Sequence, residues 1–351
     1  MSEVTIVGAG AIGGTIGAYL ARAGVRVRLV DAHAPHVRAM NERGLRIHAF
    51  NEAFTVPVTA CSPQDLTAPL GLVLLAVKAQ DTEQATRAIA PLLAADSAVV
   101  SMQNGLCERV IAKAVGAERT VGCLVNFSAD YLEPGEIAYG GPGTLRLGEL
   151  DGTRSSRVDA LQELLRPFGA VEVTDNIWGY IWAKLGYANM MFATALTDET
   201  MADVIDTYRG LLVDLASEIY EVAALEQVTP LRFDDVEPAL YIPRDRRDWA
   251  AIDASLNRLV ERRRADKKSR SGIWRDLAVR KRRTEVDQQV GVVADIGRDR
   301  GLPMALTSRL VQLVHEVEDG TRLRGLANLV ELESLREELT LNPSALRRAA
   351  P

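Results

Sequence analysis

Chemistry first shows itself at the N-terminus, where Gly8-Ala9-Gly10-Ala11-Ile12-Gly13 follows a short β-branched run and opens a stretch of helical composition. Glycines so spaced between strand and helix make a loop that receives a pyrophosphate. The first allows the tight turn, the second lets backbone approach the phosphates, and the third lets the helix pack against the strand. Gly8, Gly10, Ala11, Ile12 and Gly13 are therefore candidate ligands, presenting unpaired N–H groups and the positive end of a helix dipole. The plain alternative is a glycine-rich turn that binds nothing. Asp31 closes the next strand-like run, where an acidic residue hydrogen-bonds the adenosine ribose. A carboxylate there favours a free 2′-hydroxyl, and Ala32, His33 and Ala34 bring no guanidinium for a 2′-phosphate. NAD is expected, with NADP possible; the competing role for Asp31 is to cap the following helix.

Other candidates are fewer. Of the four histidines, His33, His36 and His48 fall in the adenosine-side region and His315 near the C-terminus, so no His–Asp dehydrogenase dyad stands out. Another acid is required. Lys184, in Trp182-Ala183-Lys184-Leu185, is flanked by apolar and small residues, an unusual setting for an ammonium, although lysines also snorkel to solvent. Cys61, Cys107 and Cys123 form neither a disulfide framework nor a CxxC zinc pair, so no metal and a reducing compartment are expected.

Those groups need a scaffold, and the sequence supplies alternating elements for one. Strand-like runs at 4–7, 25–30, 72–77 and 98–102 alternate with helix-like runs at 11–23, 35–43 and 81–93. Such alternation predicts a mostly parallel, doubly wound α/β sheet with helices on both faces, a Rossmann domain. Residues 120–149, with Glu133-Pro134-Gly135 and Gly140-Gly141-Pro142-Gly143, are expected to close this sheet with antiparallel strands. After about Val173 strand-like runs nearly vanish. Helices are predicted at 177–196, 208–225, 276–300 and 308–319, with 229–270 an excursion or surface helix pair and 342–351 frayed. The expected domains are 1–175, binding NAD, and 176–351, an all-α substrate and catalytic domain.

Composition narrows the class further. At 351 residues and 47% hydrophobic, the chain is long enough for two cores. A net charge of −6 gives no attraction to nucleic acid or an anionic membrane. The basic run at 262–283 reads as a solvated helix face or a carboxylate-attracting rim, since only Trp274 interrupts it as an aromatic. No apolar stretch is long enough to span a bilayer and no leader precedes the first strand, so a cytoplasmic location is expected. Residues 211–225 and 310–317 are rich in apolar side chains, and supply a homodimer face or the interior of the second domain.

Taken together, Gly8–Gly13, Val77-Lys78-Ala79-Gln80, Gln103-Asn104-Gly105, Trp182-Ala183-Lys184-Leu185, and Asp276 leading to Arg283-Thr284-Glu285-Val286-Asp287 resemble the ketopantoate reductase family. The resemblance covers roughly residues 3–318. It implies hydride transfer from a nicotinamide to a 2-oxo acid held between a Rossmann and a helical domain. It further implies that Lys184 donates a proton to the substrate carbonyl oxygen and that Glu285 lies near the substrate hydroxyl. Lys78 and Asn104 would border the nicotinamide ribose and the reacting group, with Gln80 a weaker cofactor contact. For Glu285 the alternative is a helix-surface ion pair with Lys281.

The departures bear on substrate. The family places asparagines four and eight residues after its lysine; here those positions are Ala188 and Phe192, and Asn189 is turned about 100° away. The serine expected four residues before Asp276 is Gly272, with Ser271 beside it. Asn189, Ser271 and Arg275 remain candidate substrate contacts, Arg275 or Arg270 through a bidentate fork to a carboxylate. Phe192, Met190, Met191 and Trp274 would line a more apolar pocket. A bulkier or more apolar 2-oxo acid than ketopantoate is expected, or the matching 2-hydroxy acid; an imine or opine-type reductase and a non-catalytic NAD-sensing protein are the alternatives.

Overall fold

The computed structural model describes residues 3–266 and 268–341, so the tail at 342–351 lies outside the described residues. The chain divides into two compact units, Met1–Ile177 and Trp178–Pro351.

The first unit begins with β1 (Val4–Val7), α1 (Ala11–Arg22), β2 (Val27–Val30) and α2 (Ala34–Arg43). It continues through β3 (Leu45–Ala49), β4 (Ala53–Val56), β5 (Thr59–Cys61), β6 (Leu70–Leu75), α3 (Thr82–Ile89), β7 (Leu93–Ser101) and α4 (Cys107–Val115). β8 (Thr120–Asn126), β9 (Ala129–Glu133), β10 (Glu136–Tyr139), β11 (Thr144–Glu149), α5 (Ser156–Leu165) and β12 (Ala170–Val173) complete it. Eight strands form the main sheet in the order β12-β11-β8-β7-β6-β1-β2-β5. Every pairing in it is parallel except β8 with β11. Ile6, Val73, Leu74, Leu75, Val99 and Val100 on the central strands are fully buried, as a parallel sheet covered on both faces requires.

A second sheet, in the order β4-β3-β10-β9, corrects the expectation for residues 120–149. β8 and β11 do join the main sheet. β9 and β10, a hairpin around Pro134-Gly135, instead leave it and join the β3–β4 pair, β10 running parallel to β3. This sheet packs on α1 through edge-to-face rings, with Tyr19 of α1 5.3 Å from Phe54 and 5.6 Å from Tyr139, and Phe168 from the turn before β12 joins them at 5.9 Å. Helix α1 therefore lies between two sheets, and its glycines make room on both sides. A Cβ on Gly17 would stand 2.6 Å from Leu29 Cδ2 of the main sheet, and one on Gly14 2.4 Å from Ile137 Cδ1 of the second.

The second unit is helical: α6 (Ile177–Ala195), α7 (Met201–Thr207), α8 (Arg209–Leu225), α9 (Trp249–Ala265), α10 (Gly272–Ala278), α11 (Val292–Asp299), α12 (Ala305–Glu318) and α13 (Leu326–Leu341). Helix α8 is buried along most of its length and forms the axis of the unit's core. The single helix expected over 276–300 is broken. α10 ends at Ala278, Lys281 takes a left-handed φ of 48°, and a π turn over Asp287–Gly291 precedes α11. Side chains explain the break. The Asp276 carboxylate accepts from the side chains of Arg280 and Arg282, folding the chain back on α10, and Glu318 accepts from the Thr284 N–H, which so has a partner other than a helical carbonyl.

Buried polar groups tie the helices together. Helix α12 starts after Met304 with no cap of its own, and Glu218 from α8 accepts the N–H groups of Leu306 (3.1 Å) and Thr307 (2.7 Å). Removing that carboxylate leaves two buried donors without an acceptor, so Glu218→Ala is expected to destabilise the protein by about 2–4 kcal/mol. Urea unfolding measures this, and a loss indistinguishable from zero would refute the capping role.

Candidate functional site

Four adjacent parallel strands, β7, β6, β1 and β2, end at one edge of the main sheet, and the chain reverses its direction of winding between β1 and β6. Such a switch point is where open α/β sheets receive ligands. The structure brings Gly8–Gly13, Asp31, Lys78, Gln80 and Asn104 to that edge, each in the segment following one of these strands.

Each glycine has a separate physical reason. Gly8 has φ +95°, and a Cβ there would lie 2.6 Å from the backbone at Ala76 and Val77. Gly13 is the close approach of helix to loop, with a Cβ only 2.1 Å from the Gly8 carbonyl oxygen. Gly10 differs from both. Its φ is −68°, open to any residue, and a Cβ would meet nothing within 4 Å. Neither strain nor packing within the chain calls for glycine there, whereas a diphosphate against the backbone does. No side chain caps α1 and no acidic residue stands in its first turn, so the N–H groups of Ala11, Ile12 and Gly13 face that space as an anion site. The residues present fit a dinucleotide.

Asp31 is placed by the same loop. The Val30 carbonyl accepts the N–H groups of both Gly8 (2.8 Å) and Ala9 (3.1 Å), so Asp31 is one residue from the loop's anchor. Its Oδ1 accepts the His33 N–H at 2.8 Å, while α2 itself has His33 as N-cap with no side-chain cap. One oxygen therefore orders the turn, and Oδ2 has no hydrogen-bond partner among the described residues.

Two residues that carry no assigned role in the sequence hold this edge in shape. His36 is 1% exposed, and its ring spans the Ala9 carbonyl (2.9 Å from Nε2) and the Gly135 N–H (2.9 Å from Nδ1). Because Nδ1 must accept, Nε2 carries the proton and donates to Ala9: the neutral tautomer alone satisfies both bonds. Gln103 donates through its amide to the Val77 carbonyl (2.9 Å) and to Thr82 Oγ1 (2.7 Å), fixing the Lys78–Gln80 turn beside Asn104. Lys78 and Gln80 are exposed and Asn104 is half-buried. A histidine or glutamine that acts on a distant carbonyl leaves no local spacing signal.

In the second unit, α6 is nearly all buried from Ile181 to Ala195, and within that span only Lys184, Tyr187 and Ala188 are partly accessible. Together with Tyr180 they fall at i, i+4, i+7 and i+8, a single face with Lys184 at its middle. Glu285 is 9% exposed and starts the turn that leads into the π segment, its carbonyl accepting from Gln289 at 3.0 Å. The Glu318 carboxylate clamps the preceding residue through Thr284 N–H and Oγ1, both at 2.7 Å. The alternative of a surface ion pair between Glu285 and Lys281 fails, because residues 281–284 are not helical and Glu285 is buried.

Other expected contacts need correction. Asn189 is fully buried and its amide donates to the Leu215 carbonyl and Thr307 Oγ1, both at 2.8 Å, so it braces α6 against α8 and α12 and does not meet a substrate. Met190, Met191 and Phe192, expected to line a pocket, are buried core residues. Ser271 caps α10 by accepting the Trp274 N–H at 3.1 Å. Trp274 is flanked by Arg270 and Arg324 at 5.0 and 5.2 Å and donates to Asp198, while Arg270 donates to the Asp198 carbonyl. Arg275 is half-buried on α10. Among the described residues no three His, Cys, Asp or Glu side chains gather as a metal site, and no helix is long and apolar enough to cross a membrane.

The glycine geometry separates folding from binding. Gly10→Ala is expected to leave the thermal midpoint unchanged while weakening dinucleotide affinity at least about ten-fold, whereas Gly13→Ala destabilises the fold itself. Calorimetry and nicotinamide fluorescence titration measure the two effects; unchanged affinity in Gly10→Ala would overturn the assignment.

Comparison with known proteins agrees with this arrangement. Residues 4–152 match the model for Ketopantoate reductase PanE/ApbA, and residues 176–318 match that for Ketopantoate reductase PanE/ApbA C terminal. The 2-dehydropantoate 2-reductase of Mesorhizobium japonicum is 29% identical over 339 residues, covering 90% of this chain and 97% of the relative. That of Archaeoglobus fulgidus is 29% identical over 323 residues, covering 91% and 99%. Among solved structures, a ketopantoate reductase from Ralstonia eutropha JMP134 aligns with TM-score 0.76 at 27% identity, covering 91% of this chain and 99% of that one. D-mandelate dehydrogenase with NADH and anilino(oxo)acetate aligns with TM-score 0.79 at 23% identity over the same shares, a likeness of fold. With both halves matched in order, the chain belongs to the ketopantoate reductase family, NAD(P)-dependent oxidoreductases.

Proposed function

We propose that this protein interconverts a 2-oxo acid and its 2-hydroxy acid with NAD as preferred cofactor, and that Lys184 is the acid that protonates the carbonyl oxygen. The observation that carries the proposal is the single accessible face of α6, with an ammonium at its centre and buried residues around it. Bound nicotinamide would supply the hydride. The ammonium of Lys184 stabilises the developing alkoxide and delivers its proton to that oxygen, an acid contribution of about 10²–10⁴-fold. Glu285 stands near the substrate hydroxyl, held by the Thr284–Glu318 clamp, while Lys78 and Asn104 border the nicotinamide ribose.

The substrate is bulkier or more apolar than ketopantoate. Ala188 offers no hydrogen bond at the first of the family's asparagine positions, and Phe192 at the second is sealed in the core. For the cofactor, a carboxylate at Asp31 accepts from a ribose 2′-hydroxyl and repels a 2′-phosphate. The D-mandelate dehydrogenase structure holds NADH with anilino(oxo)acetate on this fold, which is consistent with an oxo acid larger than ketopantoate.

Lys184→Met is expected to lower kcat on a responsive 2-oxo acid by about 10²–10⁴-fold with NADH affinity retained. Full activity in that variant, followed by NADH absorbance, would remove Lys184 from the mechanism. The kcat/KM ratio is expected to favour NADH over NADPH, and Asp31→Ser to narrow it; a clear preference for NADPH in the wild type would defeat the Asp31 assignment.

A further inference from the structure

One residue on the lysine face has an unusual bonding arrangement. Tyr187 lies three positions after Lys184, so the two side chains are neighbours on α6. Its ring packs against buried Phe233 (5.6 Å between centroids), and the guanidinium of Arg263 lies 5.6 Å from the ring centre. Arg263 also donates to the phenolic oxygen twice, from Nε at 3.1 Å and from a terminal nitrogen. A phenol has two acceptor sites and one donor. With both acceptor sites taken by a cation, only the O–H proton is left to offer, and among the described residues nothing accepts it. Arg263 is itself held by Asp266 at 2.7 Å, so it stays in place as a fixed donor.

Charge adds to this polarity. Burial pushes the Tyr187 phenol above its ordinary value, against the opposing pull of Arg263, so the hydroxyl keeps its proton at neutral pH. Donation from a guanidinium also polarises the O–H and strengthens it toward an anionic acceptor. One residue further, Ala188 carries no group that competes for that acceptor.

We propose that the Tyr187 hydroxyl, oriented by Arg263, donates a hydrogen bond to the carboxylate of the substrate, and that this pair sets the requirement for a free acid. The assignment rests on the 2-oxo acid activity proposed above. It gives the chain a specificity donor one position before the site where the family has an asparagine. The partly accessible Tyr187 ring, backed by buried Phe233, lies beside it and suits an apolar or aryl side chain.

The experiment compares wild type, Tyr187→Phe and Arg263→Gln on a series of 2-oxo acids and their methyl esters with NADH. Tyr187→Phe keeps the packing on Phe233 and removes only the donor. It is expected to raise KM for the acids on the order of ten- to a hundred-fold, the worth of one hydrogen bond to a charged group, with NADH affinity unchanged. The preference for acid over ester shrinks by the same factor. Arg263→Gln shifts KM in the same direction by less, since a single amide cannot occupy both acceptor sites. Wild-type KM and wild-type acid preference in folded Tyr187→Phe overturn the assignment while the activity stands. Reduction of none of the acids by the wild type removes the activity and the assignment together.

Discussion

The close approach of α1 to two sheets is the constraint on which the first unit depends. A helix can touch a sheet on one side with ordinary side chains, but touching sheets on opposite sides requires positions with none. Gly13 and Gly17 clear the main sheet and its loop, and Gly14 clears Ile137 of the second sheet. Gly14 is required because β10 crosses the helix there and because a Cβ would also stand 2.7 Å from the Ala9 carbonyl oxygen. Hence the loop that presents Ala11 and Ile12 is held from behind as well as from below, by the rings of Tyr19, Phe54 and Tyr139 and by the His36 bridge to Gly135. N–H groups aimed at an anion bind it with less loss to reorganisation when the backbone that carries them cannot relax.

What the sequence disclosed was whatever is local. The glycine loop, Asp31 and the lysine-bearing helix each reveal themselves within a few residues, because the strand, turn and helix that position them are contiguous. The second sheet stayed hidden, since β3 and β10 pair across most of the first unit and neither run is apolar enough to be distinct. The break after Ala278 was hidden for another reason. Residues 276–300 have helical composition, and only the distant carboxylate of Glu318 and the arginines folded back on Asp276 make an irregular path favourable. Asn189, a substrate candidate by its place one residue from the family's asparagine position, is buried instead, its amide NH2 donating to Leu215 and Thr307. Tyr187 carries no local signal at all, because the contact that marks it out, Arg263 on its oxygen, comes from 76 positions along the chain.

Chemistry in the second unit depends on contrast. Helix α6 places one ammonium on an accessible face and surrounds it with mostly buried side chains. Nearby arginines are largely committed to carboxylates, Arg263 to Asp266 and Arg262 to Asp234 and Asp235. The dense basic run seen at 262–283 is therefore mostly neutralised within the unit.

The His36 bridge also sets an order of events during synthesis. The glycine loop is complete once the first thirteen residues have emerged, but the amide that fixes the ring holding Ala9 belongs to residue 135. A ribosome must therefore add more than a hundred further residues before the loop can be locked, and until then the Ala9 carbonyl lacks its final restraint. Competence for the dinucleotide is thus a late property of the nascent first unit, although the motif responsible is the earliest part of the chain to appear.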